Sequence, residues 1–125
     1  MEPASPARLY ATVAGAVLLL LGIVGFFYTA SFGDLDSYEE ALGGLEVNGW
    51  LNLLYAAAGA IGILVAGASS RGYSLAVGLL FTAMAIVGWG SEWLNVLVGV
   101  LGLAAAAGSR PASSKPRAKP ARQRP

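Results

Sequence analysis

Neither cysteine nor histidine occurs in the chain. Lack of cysteine removes disulfides, thiol nucleophiles and thiolate metal sites, and leaves the redox compartment open. Lack of histidine removes imidazole ligation of haem or zinc, the usual general base and a histidine pH switch. Charge is scarce as well. Charged residues are 12% of the 125-residue sequence and apolar residues 56%, against about 25% and 45–50% in soluble domains. With a mean hydropathy of +0.64, a single soluble core is not the destination for this much apolar surface.

What is present is a set of long apolar runs. Leu9 to Ala30 holds 22 residues without a charge, enough to cross a hydrocarbon core of about 30 Å at about 1.5 Å per residue. A cleaved signal peptide is the rival, but its apolar region is about 7–15 residues and ends in a small-x-small site. Tyr28-Thr29-Ala30 is a poor one. Asn48 to Ala68 is a second span, and Ser69-Ser70-Arg71-Gly72 is a tight turn that makes the second and third helices antiparallel neighbours. Tyr73 to Gly90 is the third span. Trp93 to Gly108 is the fourth and shortest, about 24 Å long, which keeps it upright or thins the bilayer.

The connection 31–47 carries Asp34, Asp36, Glu39, Glu40 and Glu46 and no basic residue. Ser37-Tyr38-Glu39-Glu40 reads as a capping box and Gly43-Gly44 as a stop. Leu35, Tyr38, Leu42 and Leu45 recur at spacings of three and four, which predicts a short amphipathic helix on the membrane surface. A calcium site is the sharper alternative for these carboxylates, but no EF-hand spacing is present, so a solvated face is the expectation.

The halves echo each other. Trp50-Leu51-Asn52 corresponds to Trp93-Leu94-Asn95, Gly59 to Gly102, and Tyr10, Gly15 and Gly25 to Tyr73, Gly78 and Gly88. The fold class expected is all-α. It is a four-transmembrane-helix bundle, residues 9–108, built as two parallel-repeat helical hairpins related by an axis along the membrane normal. Small-residue stripes such as Ala11–Gly15 and Ala58–Gly62–Ala66 would let the backbones approach closely.

Charge sets the orientation. Residues 1–8, the Arg71 turn and the segment 109–125 share one side, which then holds all eight basic residues and only Glu2 among the acids. Basic residues mark the cytoplasmic face, so both termini are expected inside. Aromatics agree, with Tyr10 and Tyr73 as inner interfacial anchors and Trp50, Trp89 and Trp93, beside Phe27 and Phe32, as an outer belt. Among the few polar residues at depth, Asn52 and Asn95 are the candidate pair, expected to bond each other across the pseudo-twofold. Segment 109–125 carries Arg110, Lys115, Arg117, Lys119, Arg122 and Arg124 with no aliphatic larger than Ala. It reads as a disordered basic cytoplasmic tail that contacts anionic lipid.

At Phe27-Tyr28-Thr29-Ala30-Ser31-Phe32-Gly33 and Val47-Asn48-Gly49-Trp50-Leu51-Asn52-Leu53 the chain resembles a family of small bacterial four-helix integral membrane proteins known only as a domain of unknown function. The resemblance runs roughly from Arg8 to Gly108 and implies that fold, with a second half like Glu92-Trp93-Leu94-Asn95 leading into the last helix. Family members often have His where this chain has Leu51, Tyr55 and Asn95. A metal or proton-relay role for those histidines therefore does not carry over.

The function expected is a non-enzymatic protein of the bacterial cytoplasmic membrane, structural or partner-binding, with no cofactor and no metal. Its partners would be the bilayer, anionic lipid at the tail, and a second copy or another membrane protein. The alternative is a small oligomeric transporter or channel subunit, against which no span contains the charge that marks ion pathways. An enzyme would need a nucleophile with a base, and Ser31, Ser37 and Ser91 have no basic partner in the sequence. Nucleic-acid binding by the tail is disfavoured because it has no aromatics for stacking.

Overall fold

A computed structural model describes residues 5–109. The six basic residues singled out in the segment 109–125 lie outside the described residues. Four helices carry the architecture: α1 (Pro6–Gly25), α2 (Gly49–Val65), α3 (Ser70–Val87) and α4 (Glu92–Ala107). Helices α1 and α2 begin at side-chain caps, whereas α3 begins at Ser70, inside the turn expected at 69–72, and neither α3 nor α4 has a side-chain cap. The Ser5 hydroxyl accepts from Arg8 N, with Pro6 in the first turn of α1, and Asn48 Oδ1 accepts from Leu51 N at 2.8 Å. α3 stops at Gly88, which takes a left-handed conformation (φ 80°), and the amides of Gly88 and Trp89 both return to Met84 O. α1 ends at Gly25, five residues before the expected Ala30, and Phe26 to Tyr28 close it as a turn.

The helices pair as two antiparallel hairpins, α1 with α2 and α3 with α4. Glycine makes each pairing close. A Cβ added at Gly15 would lie 2.9 Å from Gly59 O, and one at Gly78 would lie 2.7 Å from Leu103 N and 3.0 Å from the Gly102 carbonyl carbon. Backbone therefore meets backbone at corresponding places in the two hairpins. The buried faces are also in phase: Ala7, Tyr10, Ala11, Gly15 and Leu18 on α1 match Ser70, Tyr73, Ser74, Gly78 and Phe81 on α3. On α2 and α4, Leu51, Asn52, Tyr55, Gly59 and Gly62 match Leu94, Asn95, Val98, Gly102 and Ala105. By contrast, α2 and α3 scarcely touch despite their short connection.

One expectation is corrected. The segment 31–47 holds no α-helix. It forms an antiparallel ladder of β1 (Glu39–Glu40) and β2 (Glu46–Val47), with Glu39 opposite Val47 and Glu40 opposite Glu46. A 3₁₀ turn, Leu42–Gly44, joins the strands, and Gly43 and Gly44 there have φ 75° and 76°, a region that glycine enters without a Cβ penalty. The predicted segregation of polarity survives in another form. Leu45 and Val47 are buried against the helix ends, with Tyr38 packed beside them, and Asp34, Asp36, Glu39, Glu40 and Glu46 are not buried.

By length and composition α1 (20 residues, mean hydropathy 2.0) and α3 (18 residues, 1.4) are long and apolar enough to cross a membrane. Helices α2 and α4 are apolar but shorter, at 17 and 16 residues. The bundle has two chemically distinct ends. At the acidic end sit the loop and Glu92, and at the basic end Arg8 and Arg71.

Candidate functional site

Three polar assemblies and one groove are the places where this fold can do something. The first closes the acidic end. Trp89 Nε1 donates to Leu35 O at 2.7 Å, and Asn48 Nδ2 donates to the same carbonyl at 2.8 Å and to Ser37 O at 3.2 Å. Trp50 Nε1 donates to Gly33 O, Glu46 N to Ser91 Oγ, and Gly90 N to the Tyr38 hydroxyl. The loop is thus tied to the starts of α2 and α4 and to the end of α3. Phe32 meets the Trp50 ring edge-on, centroids 5.1 Å apart. Two of the expected belt tryptophans, Trp50 and Trp89, act here as donors to the loop, and the third, Trp93, is 54% exposed.

Asn52 and Asn95 lie one turn below this cap, both fully buried. They are not hydrogen-bonded to each other, contrary to expectation. Asn52 Nδ2 donates to Thr29 O at 3.0 Å and Asn95 Nδ2 to Trp89 O at 2.6 Å, so each amide closes the end of the preceding helix of its own hairpin. Helix pairing within a hairpin is the nearer source of acceptors and wins over the cross-half contact. Asn52 Oδ1, Asn95 Oδ1, the Tyr55 hydroxyl and Thr82 Oγ1 have no conventional hydrogen-bond partner. Asn52 Oδ1 lies where a Gly25 Cβ would stand, and Thr82 Oγ1 lies 2.5 Å from a Cβ built at Gly99. Those two oxygens face glycine Cα–H groups, a weak contact that recurs where helices pack closely.

The third assembly ties the halves together near the basic end. Tyr10 and Tyr73 were expected to face the interface, but they are buried, with ring centroids 6.2 Å apart. Tyr10 OH donates to Val98 O at 2.8 Å, and Tyr73 OH donates to Ala58 O at 2.7 Å. Each hydroxyl sits over a glycine of the opposite hairpin, Gly102 and Gly62, that lies four residues beyond the carbonyl it bonds. Only a residue without a Cβ admits it. Below them Ala7 N donates to Ser109 Oγ, and Arg71 Nε donates to Ala106 O and Ser109 O. A cation there complements the negative end of the α4 dipole. Sequence reasoning placed the tyrosines by their distance from the span ends. The signal it passed over is that both share the 3–4 spacing of the small buried residues, Ala7–Tyr10–Ala11 and Ser70–Tyr73–Ser74.

The groove runs between α2 and α3. Its volume is about 400 Å³, and its walls are Leu54, Ile61 and Val65 on one side and Leu80 and Val77 on the other. Small residues, among them Ala57, Ala58, Gly72 and Ala76, leave the space. The sequence reading missed it, because a four-residue turn implied close neighbours throughout. Among the described residues no group of three or more Asp or Glu side chains is placed to hold a metal ion.

The model of a domain of unknown function (DUF4383) matches residues 8–92, from the first turn of α1 to the first residue of α4. The matched stretch is shorter than the Arg8 to Gly108 of the sequence resemblance. No curated protein and no solved structure matches the chain.

Proposed function

The chain belongs to the DUF4383 family, and we propose that it is a four-span integral protein of the bacterial cytoplasmic membrane that holds lipid or protein partners and catalyses no reaction. The distribution of polarity carries this reading. Leu64 and Ile86 are each 81% exposed and Val87 75%, while Asn48, Asn52, Asn95, Ser70 and Ser74 are at most 1% exposed. Exposed aliphatic side chains occur on all four helices. A soluble monomer rarely exposes apolar patches beyond a few hundred Å². Hydrocarbon solvent asks for this arrangement, with apolar side chains outward and polar groups bonded within.

In this reading the basic end faces the cytoplasm with both termini, and the acidic cap faces outward. The two hairpins are duplicated units related by an axis along the membrane normal. The coincident burial phases support that, as does the reciprocal reach of Tyr10 and Tyr73 into the opposite hairpin. Reporter fusions after Pro125 and at Asp36 test the topology. Opposite compartments are expected, and signals from the same side would exclude four spans. Extraction only by detergent, not by carbonate or salt, is the accompanying requirement.

A further inference from the structure

We propose that the groove between α2 and α3 seats one acyl chain of an anionic phospholipid drawn from the leaflet at the basic end. The proposal rests on the membrane reading. Along α2 the lining runs from Leu54 to Val65, about 16 Å at about 1.5 Å per residue. One leaflet of a core about 30 Å thick is about 15 Å deep. The groove is therefore one chain deep. At the basic end Ser69 and Gly72, beside the connection between the two helices, complete the lining.

Its width selects the occupant. About 400 Å³ spread over about 16 Å leaves a section near 25 Å², suited to a single hydrocarbon chain. A helix with its side chains is about 10–12 Å across, a section on the order of 80–110 Å², so a whole helix does not fit inside. A second copy could fill the space only with single side chains. The lining offers a chain almost nothing but carbon, and the Tyr73 hydroxyl is engaged by Ala58 O.

Charge selects the headgroup. Every described acidic residue lies in the segment 34–46 or is Glu92, at the far end. Arg8 and Arg71 belong to the near end. Ser109 bonds Ala7 there, and six basic residues follow it in sequence. A phosphate without a compensating ammonium is favoured beside basic residues at a membrane surface.

The test compares the full chain with a Gly72→Leu/Ala76→Leu variant. Nothing lies within 4 Å of a Cβ built at Gly72, and Ala76 is exposed, so both side chains enter the groove without disturbing the bundle. Both proteins are incorporated in nanodiscs of phosphatidylglycerol and phosphatidylcholine with matched chains, then released and weighed by native mass spectrometry. The wild type is expected to keep one lipid, mainly phosphatidylglycerol, and the variant to lose roughly tenfold of that retention. Equal retention by the variant, a wild type without lipid, or equal retention of the two headgroups would overturn the proposal. Membrane insertion of both proteins is scored separately by detergent extraction, so failure of the four-span reading is not confused with failure of the groove.

Discussion

At the scale of the residue, the two tyrosines and their glycines join the halves of the bundle. Tyr10→Phe removes a donor from Val98 O, and Tyr73→Phe removes one from Ala58 O. Hydrogen bonds within membrane bundles average about 0.6 kcal/mol, with a maximum near 1.7. Each variant is expected to lose about that much stability in a steric-trapping measurement, the losses being similar in size because the contacts are alike. No loss in either would mean that ring packing alone holds the halves. Glycines separate more sharply. A Cβ at Gly59 would run into Leu19 and Gly15 backbone, whereas Gly72 has open space. Gly59→Ala should therefore destabilise by about 1–3 kcal/mol through overpacking. Gly72→Ala should instead stabilise its helix by about 0.5–1 kcal/mol. The same unfolding assay reads both, and a Gly59→Ala protein as stable as wild type would refute the backbone-to-backbone contact.

At the scale of the element, the helices were legible in the sequence and the loop was not, for one physical reason. The helices are written in apolar runs, and their ends in local signals such as Asn48 before Gly49 and Gly88 after Val87. The segment 31–47 also carries a local helix signal, but it is too short to repay nucleation without tertiary support. That support goes to the extended form. Trp89 and Asn48 hold the Leu35 carbonyl, Asn48 also holds that of Ser37, and Ser91 accepts from Glu46 N. Two of these partners, Trp89 and Ser91, lie 54 and 45 positions from the residues they hold, and no local window of sequence contains them. Trp89→Phe keeps an aromatic ring, a smaller one, and removes one of the bonds to Leu35. It is expected to leave the helical circular dichroism unchanged while speeding hydrogen exchange across residues 35–47 several-fold, which is about 1 kcal/mol of local opening. Unchanged exchange would assign the loop's order to Leu45 and Val47 instead.

At the scale of the whole molecule, pairing of hairpins could be read from repeated Gly and Trp-Leu-Asn positions, while the gap between α2 and α3 could not. Chain connectivity makes those helices successive, but α2 spends its small residues Gly59 and Ala56 on α1, and α3 spends Gly78 on α4. A hydropathy profile does not say to which neighbour a small residue turns. Helix length was legible for α3 and α4, while the expected spans 9–30 and 48–68 proved shorter, at 20 and 17 residues, and length carries the last prediction. The four helices hold 20, 17, 18 and 16 residues, so at about 1.5 Å per residue they span about 24 to 30 Å. Tilting only shortens that reach. If all four helices span, as proposed, a bilayer core near 30 Å exceeds α2 and α4 by several ångströms, at a fraction of a kcal/mol per ångström. Neither helix is extended by its flanks, because the Asn48 cap fixes the start of α2 and the Arg71 contact fixes the end of α4. Stability measured in bilayers of graded chain length should accordingly peak at a core near 24–27 Å and fall in thicker ones. A steady rise with thickness up to 30 Å and beyond would show that α2 and α4 do not set the span.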